Sequence, residues 1–187
     1  GNENVAIGYY ANRRGTTGSF NTALGSRSNQ NNVSGSNNTS IGYDAGWALT
    51  GSNNTVIGCI GGTAGISDTV IIGAGTTERL RIDSTGNVGI GTTAPSSYHS
   101  LASNLVIAGT ADSGMTIASG TGSDGRIFFA DGTTGSAESE GQIRYNHADD
   151  SMHFVTSDSA SALTINSSGN ATFSGIVTSL QLKIEGT

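Results

Sequence analysis

Side chains that could do chemistry are scarce in this chain. The densest group of metal-ligating types is His147, Asp149, Asp150 and His153. On a three-fold axis one histidine would become three ligands, which would pin the chains together. The same residues also read as a solvated Asn146-His147-Ala148-Asp149-Asp150 turn, and a ligating histidine normally needs an orienting partner. No metal or other cofactor is expected, and His147 and His153 are the only candidates for holding one. His99 lies in a Ser-rich stretch and reads as a surface residue.

Ile71-Ile72-Gly73-Ala74-Gly75-Thr76-Thr77-Glu78 has the opening of a dinucleotide loop. Glu78 replaces the third glycine and no amphipathic helix follows, so the helix N-terminus that would hold a phosphate is missing. Hydrolysis of a polysaccharide needs two facing carboxylates. Asp44, Asp68, Asp83, Asp112, Asp124 and Asp131 are spread thinly and could pair only between chains. Serine and threonine are too abundant to single out a nucleophile. No catalytic residue is expected. The remaining candidates serve recognition: Tyr9, Tyr10, Tyr43 and Trp47 follow glycines at outward-turning corners, with Arg13 and Arg14 close to the first pair. Aromatic faces suit sugar rings. The alternative is that these rings cover corners and pack between chains.

The elements that must position these residues repeat. Asn38-Thr39-Ser40-Ile41-Gly42 recurs as Asn4-Val5-Ala6-Ile7-Gly8, Asn21-Thr22-Ala23-Leu24-Gly25 and Asn54-Thr55-Val56-Ile57-Gly58. Asp68-Thr69-Val70-Ile71-Ile72-Gly73 and a degenerate Asn87-Val88-Gly89-Ile90-Gly91 follow. The closing glycines are spaced by 17, 17, 16, 15 and 18 residues. So short and regular a period predicts stacked coils, each with one brief strand and a polar arc. Asparagine and threonine at the start of each unit can bond to backbone and stack into ladders. The residues Ile7, Leu24, Ile41, Ile57, Ile71 and Ile90 are expected to point inward as an apolar column.

Composition bounds the packing. Apolar residues make up 34% of the 187 and charged residues 12%, with 29 glycines, one proline and a formal net charge of −6. Disorder normally comes with more proline and charge. One isoleucine per coil is a thin core: burying it yields about 1.5–3 kcal/mol, while ordering each residue costs about 1–2 kcal/mol. Three chains pooling their columns on one axis is the physical inference. Lysine is nearly absent and arginines are scattered, so nucleic-acid binding is not expected. No run approaches the ~18 apolar residues of a membrane span, and the N-terminus shows no signal peptide. Cys59 reads as a small buried filler.

Asn38-Thr39-Ser40-Ile41-Gly42-Tyr43-Asp44-Ala45-Gly46 followed by Thr50-Gly51-Ser52-Asn53-Asn54-Thr55 resembles the head repeats of trimeric autotransporter adhesins, and equally the stacked repeats of bacteriophage tail fibres. Both resemblances imply a trimeric left-handed β-roll. Residues 79–96 closely resemble a phrase common in tail fibres, where a stalk and a self-cleaving chaperone often follow. Gly141 through Phe154 resembles the region before that chaperone, and Leu163–Asn170 repeats the Leu80–Asn87 phrase. The chaperone's own residues would lie beyond Thr187.

The expected organisation is all-β: a trimeric left-handed parallel β-roll or β-helix over 1–76, a connecting strand, turn and boundary over 77–97, and a β-rich antiparallel stalk or knob over 98–187. Strands are predicted at 105–107, 115–117, 126–130, 142–145, 152–155, 162–165 and 171–173. The resemblance implies a structural, host-attachment segment of a homotrimeric tail fibre on the virion. Its partners would be neighbouring fibre segments and a cell-surface glycan or protein receptor. The alternatives are the head of a bacterial surface adhesin, although the heptads of its usual stalk are absent, and a polysaccharide-degrading spike.

Overall fold

The structure is a computed structural model describing residues 1–62, 64–156 and 160–177. It is all-β, with short 3-10 turns at Pro95–Ser97 and Gly135–Glu138. Two compact units divide the chain, Gly1–Met115 and Thr116–Thr187.

The first unit is a β-solenoid of about six turns. Strands β1 (Val5–Ile7), β2 (Thr22–Leu24), β3 (Thr39–Ile41), β4 (Thr55–Ile57) and β5 (Val70–Ala74) stack in parallel. Next, β6 (Thr77–Ile82) runs antiparallel to both its neighbours, β5 and β7 (Val88–Ile90). Strand β8 (Leu105–Ile107) pairs in parallel with β7, so the sheet continues past Pro95. Gly25, at a φ of 134°, ends β2 where a Cβ would run into the backbone of Gly42 in the next coil.

Asparagines brace each coil from within. The side chain of Asn38 is wholly buried and donates to Asn21 Oδ1 (3.0 Å) and to the Gly51 carbonyl of the opposing arc (2.9 Å). In turn its Oδ1 accepts from both the backbone and side-chain nitrogens of Asn54, each at 3.0 Å. Asn4, Asn21 and Asn54 repeat this pattern. A second ladder runs along the arcs, where the backbone N–H groups of Ser19, Ser36 and Ser52 donate to the hydroxyls of Ser36, Ser52 and Ser67.

The expected inward direction of the isoleucine column is corrected by the structure. In β2, β3 and β4 only the middle residue is buried in the coil interior, and these are small or medium: Ala23, Ser40 and Val56, while β1 at the end of the stack is exposed throughout. The interior is shared with the asparagines and has no room for a large side chain on every rung. Alternation therefore sends Ile7, Leu24, Ile41, Ile57 and Ile90 to the outer face, between 37% and 59% exposed. Ile71 does not belong to that column. It is buried, in register with Val56, while the exposed Ile72 aligns with Ile57. The inner apolar cluster is Ala45, Leu49, Val56, Ile60 and Ile71, so the arcs contribute as much as the strands. Cys59 is only half-buried.

The second unit holds a five-stranded antiparallel meander: β9 (Asp124–Phe129), β10 (Gly141–Asn146), β11 (Ser151–Thr156), β12 (Ser161–Ile165) and β13 (Ala171–Phe173). One face carries Ile127, Phe129, Ile143, Phe154, Leu163 and Phe173, which the register places side by side. The predicted strand at Met115–Ile117 is absent: both residues are exposed in irregular chain.

Two substitutions test the ladder. Asn38→Ala strands the Asn54 amide and the Gly51 carbonyl, each worth about 1–3 kcal/mol when buried and unpaired; denaturant unfolding should show a loss of about 3 kcal/mol or more. Glu3, Phe20, Asn37, Asn53 and Asp68 all take φ between 56° and 61°, a conformation that asparagine tolerates and phenylalanine does not. Phe20→Asn should therefore raise stability by about 1 kcal/mol.

Candidate functional site

The corner after each strand is built by left-handed backbone. Tyr10, Arg27 and Asp44 adopt φ of 58°, 59° and 55°, and Asn12, Asn29 and Gly46 repeat the sign two residues on. Rung bonds fix the stacking: Arg27 N–H donates to the Tyr9 carbonyl, and Asp44 N–H to that of Ser26. Tyr9, Ser26 and Tyr43 thus form one column. Arg14 N–H bonds to Gln30 and Asn31 N–H to Trp47, which aligns Arg13, Gln30 and Trp47 in another. Buried Ser28, donating to the Ser40 carbonyl at 2.7 Å, and Ala45 support the corner from inside.

The outward side chains form two neighbouring clusters. On the first coil the Tyr9 and Tyr10 rings stack at 3.9 Å, and the Arg13 guanidinium lies 4.3 Å above Tyr10. Hydrogen bonding with Tyr10 raises the Tyr9 phenol above its ordinary pKa. On the next two coils Arg27 is central. Its guanidinium lies 6.0 Å from the Tyr43 ring and 5.9 Å from Trp47, and it bonds Gln30 Oε1 at 3.3 Å. Arg27 Nε is 3.0 Å from Asp44 Oδ1, an ion pair whose alignment falls short of a hydrogen bond. Such cation–ring contacts hold aromatic faces open to solvent at about 0.5–1 kcal/mol each.

All six sequence candidates therefore lie on the corner of the first three coils, and the rings stay exposed: Tyr9 67%, Tyr43 55%, Trp47 39%. Arg14 is exposed beside them. Sequence reasoning missed Arg27, and weighed Asp44 only as a scattered carboxylate, not as part of this corner. The 17-residue step that relates Tyr10 to Arg27, and Arg27 to Asp44, was the available signal.

The other candidates lie elsewhere. His147 packs edge-on against Tyr145 at 4.8 Å. His153 is in β11, as the strand predicted at 152–155 requires, and both ring nitrogens meet hydroxyls: Ser151 at 2.7 Å, Ser161 at 2.9 Å and Thr164 at 3.2 Å. Among the described residues no group of three or more metal-ligating side chains comes together. In the first unit, β6 is joined by tight turns with no arc, and the missing wall leaves a cleft of about 450 Å³ lined by Asp68, Arg81, Asp83 and Pro95. Glu78 already holds the Arg81 guanidinium bidentately at 2.6 and 2.8 Å. Burial opposes the charge of Asp83, but hydrogen bonds from Thr85 and Asn87 outweigh it and keep its carboxyl below the usual range.

Trp47 is the single tryptophan, so its emission reports on this corner. Arg27→Ala removes the cation above it, and the spectrum should shift to longer wavelength as water takes the vacated place. An unchanged spectrum would show that the Arg27–ring contact is not formed.

No family model matches the chain, and neither a curated protein nor a solved structure matches it.

Proposed function

We propose that this chain is a non-enzymatic, homotrimeric structural segment of a phage-type tail fibre, which stiffens the fibre and carries a contact to the bacterial surface. The observation that carries the reading is the outer face of the eight-stranded sheet. Ile7, Leu24, Ile41, Ile57, Ile72, Leu80, Ile90 and Ile107 form one in-register column across all eight strands, about 35 Å long at one strand spacing per rung. Seven of these eight are more than a third exposed in the single chain. An apolar strip of this length on a water-facing sheet marks an interface.

Three copies turning this face to a common axis would bury the strip, and a closed trimer leaves no fourth copy to recruit. The apolar face of the β9–β13 sheet asks for cover in the same way, and would make the second unit a stalk or knob of the same trimer. The resemblance of residues 79–96 and 141–154 to tail-fibre segments supports the virion assignment, and the open aromatic corner supports receptor contact. No cofactor or catalytic group enters this reading.

Light scattering on the purified chain should give three times 18.8 kDa. Ile41→Asp adds three charges to the axis without touching the coil interior, so it should yield a folded monomer. A trimer that survives Ile41→Asp and Ile57→Asp together would contradict the proposed interface.

A further inference from the structure

Charge is distributed unevenly along the solenoid. Although the chain carries a formal net charge of −6, the only charged side chains between residues 4 and 67 are Arg13, Arg14, Arg27 and Asp44. All four belong to the aromatic corner. Asp44 neutralises Arg27 at 3.0 Å. Arg13 and Arg14 are exposed, and neither has an ion pair among the described residues. The Arg13 guanidinium carbon lies over the Tyr10 ring, and the guanidinium N–H donors have no hydrogen-bond partner among the described residues, which leaves them for another group.

We propose that the corner binds an acidic polysaccharide, with sugar rings lying on Tyr9 and Tyr43 and a sugar carboxylate taken by Arg13 and Arg14. The proposal rests on the reading of this corner as the receptor contact and names the ligand class. A guanidinium fork matches a carboxylate in two parallel hydrogen bonds. A neutral glycan would leave both free cations without a counter-charge. Tyr9 and Tyr43 stand in one column two rungs apart, about 10 Å, so an extended polymer can lie along the coil axis across both rings. The Tyr9 and Tyr43 rings are exposed rather than enclosed in a cleft, which suits a chain polymer better than a small molecule. Single-stranded nucleic acid also uses cations with stacking rings, but it needs a continuous positive track, and this patch has two free cations.

The test is calorimetric titration of the full chain with four probes: hexagalacturonate, maltohexaose, hexaglutamate and an oligothymidylate. Hexagalacturonate should bind about tenfold or more tightly than maltohexaose, with an advantage that shrinks as salt is added, while hexaglutamate, which has charge but no rings, should not bind. Replacing both Arg13 and Arg14 by Gln should erase that tenfold margin and leave maltohexaose unchanged. Tyr43→Ser should weaken both sugars and Tyr43→Phe should not, which separates loss of the ring face from loss of fold. Equal affinity for the acidic and neutral sugars would overturn the ligand assignment and leave the corner as the contact. Sugar binding untouched by Tyr43→Ser would overturn the corner itself. Absence of hexagalacturonate binding, or tighter binding of the oligothymidylate, would also overturn the proposal.

Discussion

The buried asparagine ladder is the constraint on which the first unit depends. Asn4, Asn21, Asn38 and Asn54 each tie together a strand, the next coil and the far arc. A coil of 15–18 residues encloses only a small apolar cluster, Ala45, Leu49, Val56, Ile60 and Ile71, and polar side chains share the rest of its interior. A carboxamide bridges the coil by donating across it and accepting from the coil above, so a satisfied asparagine ladder runs beside the apolar cluster. The ladder also explains why single units would not hold: each asparagine completes its bonds only when a neighbouring copy is present.

The outer surface follows from that interior. With most inner positions filled by asparagine and small or medium residues, most large aliphatic side chains of the strands lie on the outer face, Ile71 being the exception. This inverts the usual arrangement, in which β-branched residues fill the centre and polar ones meet water. The polar arcs cover much of the remaining surface, and the apolar strip is left exposed in the single chain. The same rung stacking sets the aromatic corner: left-handed residues recur at equivalent positions, so rings and cations from successive coils align without any helix or loop dedicated to holding them.

Much of this was legible in the sequence. The glycine period located every strand from β1 to β5 together with β7, and the asparagine at each unit start announced the ladder. Four features were not legible, for identifiable reasons. The direction of Ile41 and its equivalents depends on which face the closed coil can accommodate, and a three-residue strand is too short to show alternation. Ile71 and Ile72 are adjacent and chemically alike, so only pairing with Val56 and Ile57 decides between them. The strand at 80–82 and the turn around Gly86 were legible, but the reversal at β6 also needs the tight connection around Gly75, which in sequence looks like any other arc. Arg27 escaped notice because its role comes from the coil above it, where Tyr43, Asp44 and Trp47 lie.

The backbone amides of Asn21, Asn38 and Asn54 offer the most direct test of the ladder. Each donates to the carboxamide of the preceding asparagine and to no backbone carbonyl, at 2.9, 3.0 and 3.0 Å. Residue-resolved hydrogen exchange should find these three amides as protected as the strand amides of Thr22, Thr39 and Thr55, opening only with global unfolding. Exchange at the rate of a free arc would mean that the carboxamides are not bonded, and that something other than the ladder holds the coils together.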